Sequence, residues 1–440
     1  MKKYLSLAFL CLLLQACGGG DSKPVAGNPQ SASCAAEDQR ASLMAWMDDL
    51  YLWNGQRAPA DLAARDMAGF FDSMLYRPLD RYSFAQTTAS FDSTFNSGTR
   101  VGYGYSISLD PAGDLRVRFV EPLSPVAALG MKRGDRILSI DGFTPQQVLA
   151  GALPVVTTEG VLRTFVIIDA TGAQRTIEVH SRLFVLTPLA EWKILDGVRD
   201  GQPVKVGYLA YHQFVFYNVT LLGFAIDRMA QAGASEMVLD LRYNGGGSVA
   251  TSRDLASFIS GATAEGKVYT RLKFNAQNAD QDVDVPFMTA AQRYARPLEG
   301  LKRVFVITSG GTASASELLI NGLRPYMQVV LVGDTTYGKP YGFIPRNTCG
   351  TTYNAVNFEA VNALGAGGFS AGIAADCTVP DDFDHALGDT QEGRLKTALD
   401  YISTGRCTAP RVPQSAAIAT KKTRPAVLGE GVPEQMFFNK

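Results

Sequence analysis

The residues of this 440-residue chain whose types best suit chemistry are Ser314 and Lys339, 25 positions apart. Ser314 follows an apolar run, 304–308, and Lys339 follows another, 329–333; both runs are typical of buried strands. A third apolar run leads into the glycines 245–247. Three strand ends of one α/β region would thus offer a hydroxyl, an amine and unhindered backbone N–H groups. Those are the parts of a Ser–Lys acyl-transfer site.

Such a site makes a specific demand on the lysine. A serine hydroxyl is a weak nucleophile until a base takes its proton, and lysine can be that base only if its pKa, about 10.4 in water, is lowered by burial away from carboxylates. Lys339 has aromatic or apolar neighbours at Tyr337, Pro340, Tyr341 and Phe343. These neighbours favour a buried lysine over a surface one.

The oxyanion of an acyl-transfer reaction needs two preset donors, each worth roughly 3–4 kcal/mol of barrier. The candidates are the N–H of Ala315, at a predicted helix N-terminus, and the N–H of Gly246 or Gly247. Glu317 either supports this chemistry or simply favours the positive end of the helix dipole. Ser316 is interpreted as a structural residue of the same helix start.

Three segments together carry a family resemblance. They are Asp240-Leu241-Arg242 with Asn244 and Gly246-Gly247, then Thr312 to Glu317, then Gly338-Lys339. In this order they resemble the C-terminal processing (tail-specific) peptidases, which are Ser–Lys endopeptidases, over about residues 40–405. The resemblance implies that Ser314 is the nucleophile, Lys339 the general base and Glu317 a supporting residue. It also implies substrates that are unfolded or C-terminally exposed protein segments, cut near apolar residues.

The chain departs from the family pattern at two positions. Thr312 replaces the first serine of the triplet, and Pro325 stands where some members have an acidic residue. These departures leave open an alternative, a catalytically inactive PDZ-based binding lipoprotein of the cell envelope. Residues 333–339 also fit the first seven positions of a phosphate-binding loop, but Pro340 occupies the place of its Ser or Thr, and nucleotide binding is rejected.

The first residues predict a secretory signal. Lys2 and Lys3 precede an apolar run that is too short to span a bilayer, and the run ends at Cys17. This ending resembles a bacterial lipobox, in which Cys17 becomes the lipidated first residue; an ordinary secretion signal is the alternative. The expected location is the bacterial cell envelope, as an outer-membrane lipoprotein facing the periplasm or the surface.

Four further cysteines suggest disulfides in an oxidising compartment. They are Cys34, Cys349, Cys377 and Cys407, which allow three connectivities. The preferred pairing is Cys349 with Cys377, closing a nearby loop, and Cys34 with Cys407, tying the ends of the folded body.

Composition limits the partners that we expect. The chain is 46% hydrophobic and 19% charged with a net charge of −1, which gives no electrostatic case for nucleic acid. His180, His212 and His385 are far apart in sequence and no cluster has metal-ligand spacing, so neither a metal nor another cofactor is expected. Among Asp381, Asp382 and Asp384, His385 is interpreted as structural. The expected partners are protein or peptide substrates with exposed C-termini, and a membrane through the lipid anchor.

The predicted fold class is multidomain α+β, with an N-terminal helical segment, a PDZ-like β-rich domain and an α/β, crotonase-like Ser–Lys peptidase body. The layout is a signal peptide at 1–16, a flexible tether at 17–34, a helical domain at 35–98, a PDZ-like domain at 99–185, a peptidase domain at 186–407 and a tail at 408–440. The helical domain includes a predicted helix from Asp61 to Met74, and the tail lacks periodicity.

The PDZ-like assignment rests on a resemblance over residues 124–142, a short helix, a turn and a strand ending in Asp-Gly. Such domains add a peptide as a strand to a sheet edge and hold its C-terminal carboxylate with backbone N–H groups. The predicted carboxylate loop is Gly102-Tyr103-Gly104-Tyr105, and a plain β-turn is the alternative.

Overall fold

The computed structural model describes residues 34–110, 112–408, 428–429 and 435–437, with the backbone alone at 218, 428–429 and 435–437. Cys17 and the predicted signal peptide lie outside the described residues. The fold is a mixed α/β arrangement of several sheets. Helices and strands are numbered along the chain.

The main sheet has six strands, five of them consecutive and parallel. In spatial order they are β21 (Cys377–Thr378), β16 (Gln328–Gly333), β15 (Arg303–Thr308), β11 (Ala234–Asp240), β10 (Gln202–Tyr211) and β9 (Leu189–Arg199). β9 is the antiparallel edge. The central strands β11, β15 and β16 are apolar almost throughout because both of their faces are covered, as is usual for parallel sheets.

The second sheet lies beside the carboxyl ends of the main strands. Its order is β12 (Gly246–Ser248), β23 (Gln435–Phe437), β17 (Tyr341–Phe343), β20 (Val356–Val361), β13 (Val268–Lys273) and β14 (Val283–Pro286). β12 follows the glycine loop and β17 follows Lys339, so this sheet joins two of the three predicted site segments.

A third sheet, which we call the small sheet, is built mainly from residues 105–180. Its order is β22 (Leu428–Gly429), β3 (Tyr105–Leu109), β4 (Leu115–Val120), β5 (Arg136–Ile140), β6 (Leu162–Ile168) and β7 (Gln174–His180). It encloses its own apolar core, which includes Ile107, Val117 and Phe165. Two smaller sheets complete the strands: β1 (Phe84–Thr87), β19 (Thr351–Asn354) and β18 (Arg346–Thr348), and the pair β2 (Thr99–Gly102) and β8 (Arg182–Val185).

The helices cover the sheets. They are α1 (Ala36–Leu50), α2 (Met67–Ser73), α3 (Thr88–Asp92), α4 (Pro125–Ala128), α5 (Pro145–Leu149), α6 (Val219–Gln231), α7 (Val249–Ser260), α8 (Ala315–Leu323) and α9 (Gly393–Thr404). Every residue of α8 is buried, and its apolar side chains belong to the largest core cluster. The helix that starts at the proposed nucleophile is therefore fixed on all sides.

The N-terminal region is less helical than predicted. The helix expected from Asp61 begins only at Met67, because the Asp66 carboxylate accepts a hydrogen bond from Gly69 N–H at 2.7 Å and caps the helix there. Strand β1 interrupts the helical stretch and pairs with β19. The tail is also more ordered than expected, since its residues 428–429 and 435–437 form β22 and β23.

The predicted disulfide pairing is wrong. Cys34 is bonded to Cys349, and Cys377 to Cys407. Cys34 precedes α1, which packs in the same apolar cluster as Tyr353 of β19, so it meets the nearby turn at Cys349. Cys377 and Cys407 both pack in the apolar cluster between α9 and the main sheet. Within the ranges that the structure describes, no helix is long and apolar enough to span a membrane.

Candidate active site

Ser314 lies between β15 and α8, at the residue directly before the helix. Its backbone has φ of +63° and ψ of −116°, a conformation that costs a non-glycine residue on the order of 1–3 kcal/mol and that the surrounding structure must enforce. The side chain is buried. Its Oγ has no hydrogen-bond partner in the described part of the chain. A buried hydroxyl without a partner, on a strained turn, makes Ser314 a candidate functional residue.

Glu317 connects Ser314 to Lys339. One carboxylate oxygen, Oε2, accepts from the backbone N–H of Ser314 at 2.9 Å and from that of Lys339 at 2.8 Å. The other, Oε1, accepts from Thr336 Oγ1 at 2.5 Å and from Gly338 N–H at 2.7 Å. Burial raises the pKa of Glu317, and these four donors oppose that rise. The two predicted catalytic residues are thus anchored to a single oxygen atom.

Lys339 is buried, as the sequence indicates, with 1% of its surface exposed. Its Nζ lies 4.0 Å from the centroid of the Phe343 ring and 5.7 Å from that of Tyr82. The preceding carbonyl, Gly338 O, accepts hydrogen bonds from Tyr82 Oη at 2.7 Å and from Arg81. Residues of the N-terminal region therefore help to hold the lysine loop, a contribution that no sequence signal identifies.

The glycine loop is attached to the nucleophile segment through Asn244. Its carbonyl accepts from Ala313 N–H at 3.1 Å and from Ser316 Oγ at 3.0 Å, which supports the structural interpretation of Ser316. Its side chain donates to Tyr211 O and accepts from Gly246 N–H, both at 2.8 Å. Gly246 N–H is consequently already used, and of the two glycines Gly247 is the better candidate for the oxyanion donor.

The backbone of β12 directs the peptide groups of Gly247 away from Phe214. Phe214 bonds to Gly246 O and to Ser248 N–H, so the N–H and C=O of Gly247 face the opposite side, since neighbouring residues of a strand alternate. Gly247 has φ of +131°, and a Cβ there would lie 2.0 Å from Phe214 O. Only glycine fits this position.

Thr312 explains how the chain accommodates one departure from the family pattern. Its Oγ1 donates to Leu241 O at 2.8 Å and accepts from Ser309 N–H at 2.9 Å, while its carbonyl accepts from Tyr337 N–H at 2.9 Å. A serine hydroxyl could make the same two side-chain bonds. Thr312 therefore joins the ends of the strands rather than taking part in the chemistry.

Arg242 has a role that sequence reasoning missed. Its buried guanidinium bonds to Asp240, to Asp381 at 2.9 Å, and to both oxygens of Glu392 at 2.7 and 2.8 Å. Arg133 of the small-sheet region also bonds to Asp381, at 2.9 Å. The network holds the end of β11, from which the glycine loop departs. Asp381 and Glu392 are 139 and 150 positions from Arg242 in sequence and leave no local signal.

The predicted peptide-binding loop lies between β2 and β3. Tyr103 and Tyr105 pack in the apolar core of the small sheet, and Tyr105 also lines a neighbouring cavity. β3 borders a cavity of about 750 Å³ that is also lined by Ile107, Val148 of α5, and Leu153. Peptide binding at this loop stays a prediction.

The histidines do not assemble a second site. Burial lowers the pKa of His212 to about 3, with the cations of Arg118, Arg242 and Arg133 adding to this effect. His385 is largely exposed and its Nδ1 lies 2.8 Å from Asp382 Oδ2. Among the residues described, no group of three or more His, Cys, Asp or Glu side chains could hold a metal ion.

The comparisons with known proteins agree with this geometry. Residues 205–356 match Peptidase family S41. The carboxyl-terminal-processing protease of Synechocystis sp. is 28% identical over 344 residues, covering 71% of this chain and 74% of the relative. The protein of the same name from Picosynechococcus sp. is 29% identical and covers 55% of each chain.

Two solved structures share the fold. An S41 protein from Bacteroides fragilis superposes with a TM-score of 0.67 at 24% identity, covering 83% of this chain and 97% of that one. The photosystem II D1 C-terminal processing protease has a TM-score of 0.50 at 17% identity, covering 78% and 92%. Residues 205–356 of this chain thus match Peptidase family S41, and the chain is similar to the carboxyl-terminal-processing proteases.

Proposed function

We propose that the chain is a serine endopeptidase of the carboxyl-terminal-processing type that uses Ser314 and Lys339 as a dyad. The observation that carries the proposal is the shared hydrogen bonding of Ser314 N–H and Lys339 N–H to Glu317 Oε2, next to an unpartnered, buried Ser314 Oγ. Nucleophile and base are thereby held in a fixed relation before substrate binds, which is the main source of catalytic advantage in such sites.

The steps follow from the groups present. Lys339, as the neutral amine, takes the Ser314 proton while Oγ attacks the scissile carbonyl, and the resulting ammonium then protonates the leaving amine. Gly247 N–H and Ala315 N–H, the latter at the start of α8, bind the oxyanion. Water repeats the sequence to release the acyl group. Glu317 is a positioning residue, since it acts through the backbones of both partners.

The substrate and the location are further parts of the proposal. The relatives carry carboxyl-terminal processing in their names, and β3 with its preceding loop is suited to take an extended peptide as an added strand, as in PDZ domains. We propose protein segments with exposed C-termini as substrates, and attachment to the bacterial envelope through a lipidated Cys17. Metabolic labelling with a palmitate analogue should mark the chain and fail with Cys17→Ser.

The alternative hypothesis, a catalytically inactive PDZ-based binding lipoprotein, rested mainly on the replacement of a family serine by Thr312. Thr312 keeps the hydrogen bonds available to a serine, so this substitution does not indicate a lost activity.

The decisive experiment is active-site labelling with a fluorophosphonate together with cleavage of an unfolded protein substrate. Ser314→Ala should lose the label and about 10⁴-fold or more in kcat. Lys339→Ala and Lys339→Arg should lose the same activity, since a guanidinium does not give up its proton near neutral pH. The exposed residues Ser403 and Lys302 provide the matched controls Ser403→Ala and Lys302→Ala. Full activity in Ser314→Ala would overturn the proposal.

A further inference from the structure

Strand β23 occupies the space between two walls of the proposed catalytic cleft. Residues 435–437 run parallel to β12, with Gly246, Gly247 and Ser248 opposite Gln435, Met436 and Phe437. On its other side Phe437 pairs with Phe343 of β17. β12 is the strand whose Gly247 backbone faces away from Phe214, and β17 begins two residues after Lys339.

Strand β22 occupies a second edge that we have associated with peptide binding. Leu428 pairs with Ile107 and Gly429 with Ser106, antiparallel to β3. The direction of β22 is therefore toward the loop 102–105, as for a peptide added to a PDZ-type edge. Only five residues, 430–434, separate β22 from β23. Two neighbouring short strands, β22 and β23, thus pair with the edges of β3 and β12.

We infer that residues 428–429 and 435–437 are a cis ligand of the peptidase that competes with substrate for these two edges. The inference rests on the proposed function, because it treats both edges as substrate-binding strands. The composition of the segment is consistent with this role, since Leu428, Met436 and Phe437 are apolar, like the residues near which substrates are expected to be cut. Backbone pairing on both sides of β23 fills the position from which an extended substrate would reach Gly247 N–H.

The covalent tether makes this competition effective. A segment joined to its own binding site has an effective concentration in the millimolar range for a short flexible connection, so a free peptide of equal intrinsic affinity competes poorly. The inferred consequence is a low basal activity toward peptides. A substrate would gain access when the segment is displaced.

The inference can be tested in the full-length chain without relying on catalysis. Met436→Pro removes a backbone donor inside a strand that is paired on both sides, which a central strand does not tolerate. Asn439→Pro, outside the strand, is the matched control. Both changes are made in the Ser314→Ala background, and a fluorescein-labelled peptide of residues 424–440 is titrated by anisotropy. We expect Met436→Pro to bind the peptide at least tenfold more tightly than the parent or the control does.

Hydrogen–deuterium exchange gives an independent reading. The amide of Gly247, which faces β23, should exchange at least tenfold faster in Met436→Pro than in Asn439→Pro, because β23 no longer covers it. The amides of Gly246 and Ser248, which are bonded to Asn244 and Phe214, should exchange at the same rate in both variants. Equal peptide affinity and equal Gly247 exchange in the two variants would overturn the inference.

Activity separates this inference from the proposed function. With Ser314 restored, Met436→Pro should raise kcat/KM several-fold, mainly through a lower KM. Cleavage by all variants at equal rates would overturn the cis ligand and leave the peptidase in place. Absence of cleavage and of fluorophosphonate labelling in every variant would overturn the peptidase, while the binding and exchange results would still decide whether residues 428–429 and 435–437 occupy the edges.

Discussion

Two buried glutamates of the molecule are held in opposite ways. Glu317, beside the proposed nucleophile, accepts hydrogen bonds from three backbone N–H groups and one threonine hydroxyl, all of them neutral. Glu392, at the start of α9, is paired with the guanidinium of Arg242 through both oxygens and also caps the helix by accepting from Leu395 N–H. Both are fully buried.

The difference shows how each glutamate is used. An ion pair such as Glu392–Arg242 holds distant segments in place, but both partners must stay charged, because loss of one charge leaves the other buried and uncompensated. A carboxylate that accepts hydrogen bonds from neutral donors also fixes the chain. Glu317 is bonded to the backbone N–H of Lys339, and this bond does not depend on the charge of the Lys339 side chain. The base can then change protonation state without dismantling the structure that positions it.

The largest effect that tests this comparison should come from the ion-paired side. Arg242→Met leaves Asp240, Glu392 and Asp381 without their shared cation, and breaking a buried pair in this way costs about 3–5 kcal/mol of unfolding free energy. Chemical denaturation at neutral pH measures the loss. Arg271→Met, which removes an exposed pair with Asp284, is the control and should change little.

The pH dependence of that loss has a defined sign. Burial alone would raise the pKa of Asp381, but Arg394, Arg242 and Arg133 outweigh it and hold this pKa well below its usual range. A carboxylate with a depressed pKa contributes stability above its unfolded pKa, about 3.9, and that stability is lost as pH falls toward the folded value. The deficit of Arg242→Met should therefore shrink below about pH 4. A deficit that stays constant down to pH 3 would contradict this account.

On the neutral-donor side, Glu317→Gln should have the next largest effect. In either orientation the amide N–H₂ would face at least one backbone donor, leaving a buried group unsatisfied at a cost of up to about 3 kcal/mol. Because the change moves the Ser314 and Lys339 backbones, kcat should fall more than the affinity for substrate. Glu178→Gln, on an exposed position of β7, is the control. Unchanged kcat in a folded Glu317→Gln protein would show that the hydrogen bonds of the Glu317 carboxylate are dispensable for catalysis.

A smaller effect is expected at Thr312, which links strand ends with its hydroxyl. Thr312→Val removes two buried hydrogen bonds at nearly constant volume and should destabilise the chain by about 1–2 kcal/mol. Thr312→Ser retains both bonds and should keep stability and activity close to those of the parent. Thermal unfolding of the two variants compares them directly. A larger loss in Thr312→Ser than in Thr312→Val would mean that the methyl group, not the hydroxyl, is important.

The features of the site that depend on residues close together in sequence could be predicted from the sequence. Apolar runs predict β11, β15 and β16, small residues predict the turn into α8, and aromatic neighbours predict the burial of Lys339. Each of these depends on residues within a few positions of one another. That is why the site segments could be named before their contacts were known.

The rest depends on contacts between distant segments. The disulfide pairs follow from the packing of α1 against β19 and of α9 against the main sheet, neither of which has a local signature. The hydrogen bond that occupies Gly246 N–H comes from a side chain two residues away whose direction the sequence does not specify. Strands β22 and β23 are too short for periodicity and owe their form to the edges that receive them.

The smallest effect should come from the partly exposed pair of His385 with Asp382. The Asp382 side chain raises the pKa of His385 from its ordinary value. A raised pKa contributes stability that is fully present below the unfolded value, about 6.5, and that is lost as pH rises through the folded value. Because the pair is partly exposed, screening keeps this contribution small, and His385→Asn should leave peptidase activity unchanged at pH 8. NMR titration of His385 with and without Asp382→Asn measures the shift. Loss of activity in His385→Asn would instead indicate a histidine base. The charged residues near Asp381 and Asp382 would then take part in catalysis, and the distinction between a structural ion-pair network and a separate catalytic site would be wrong.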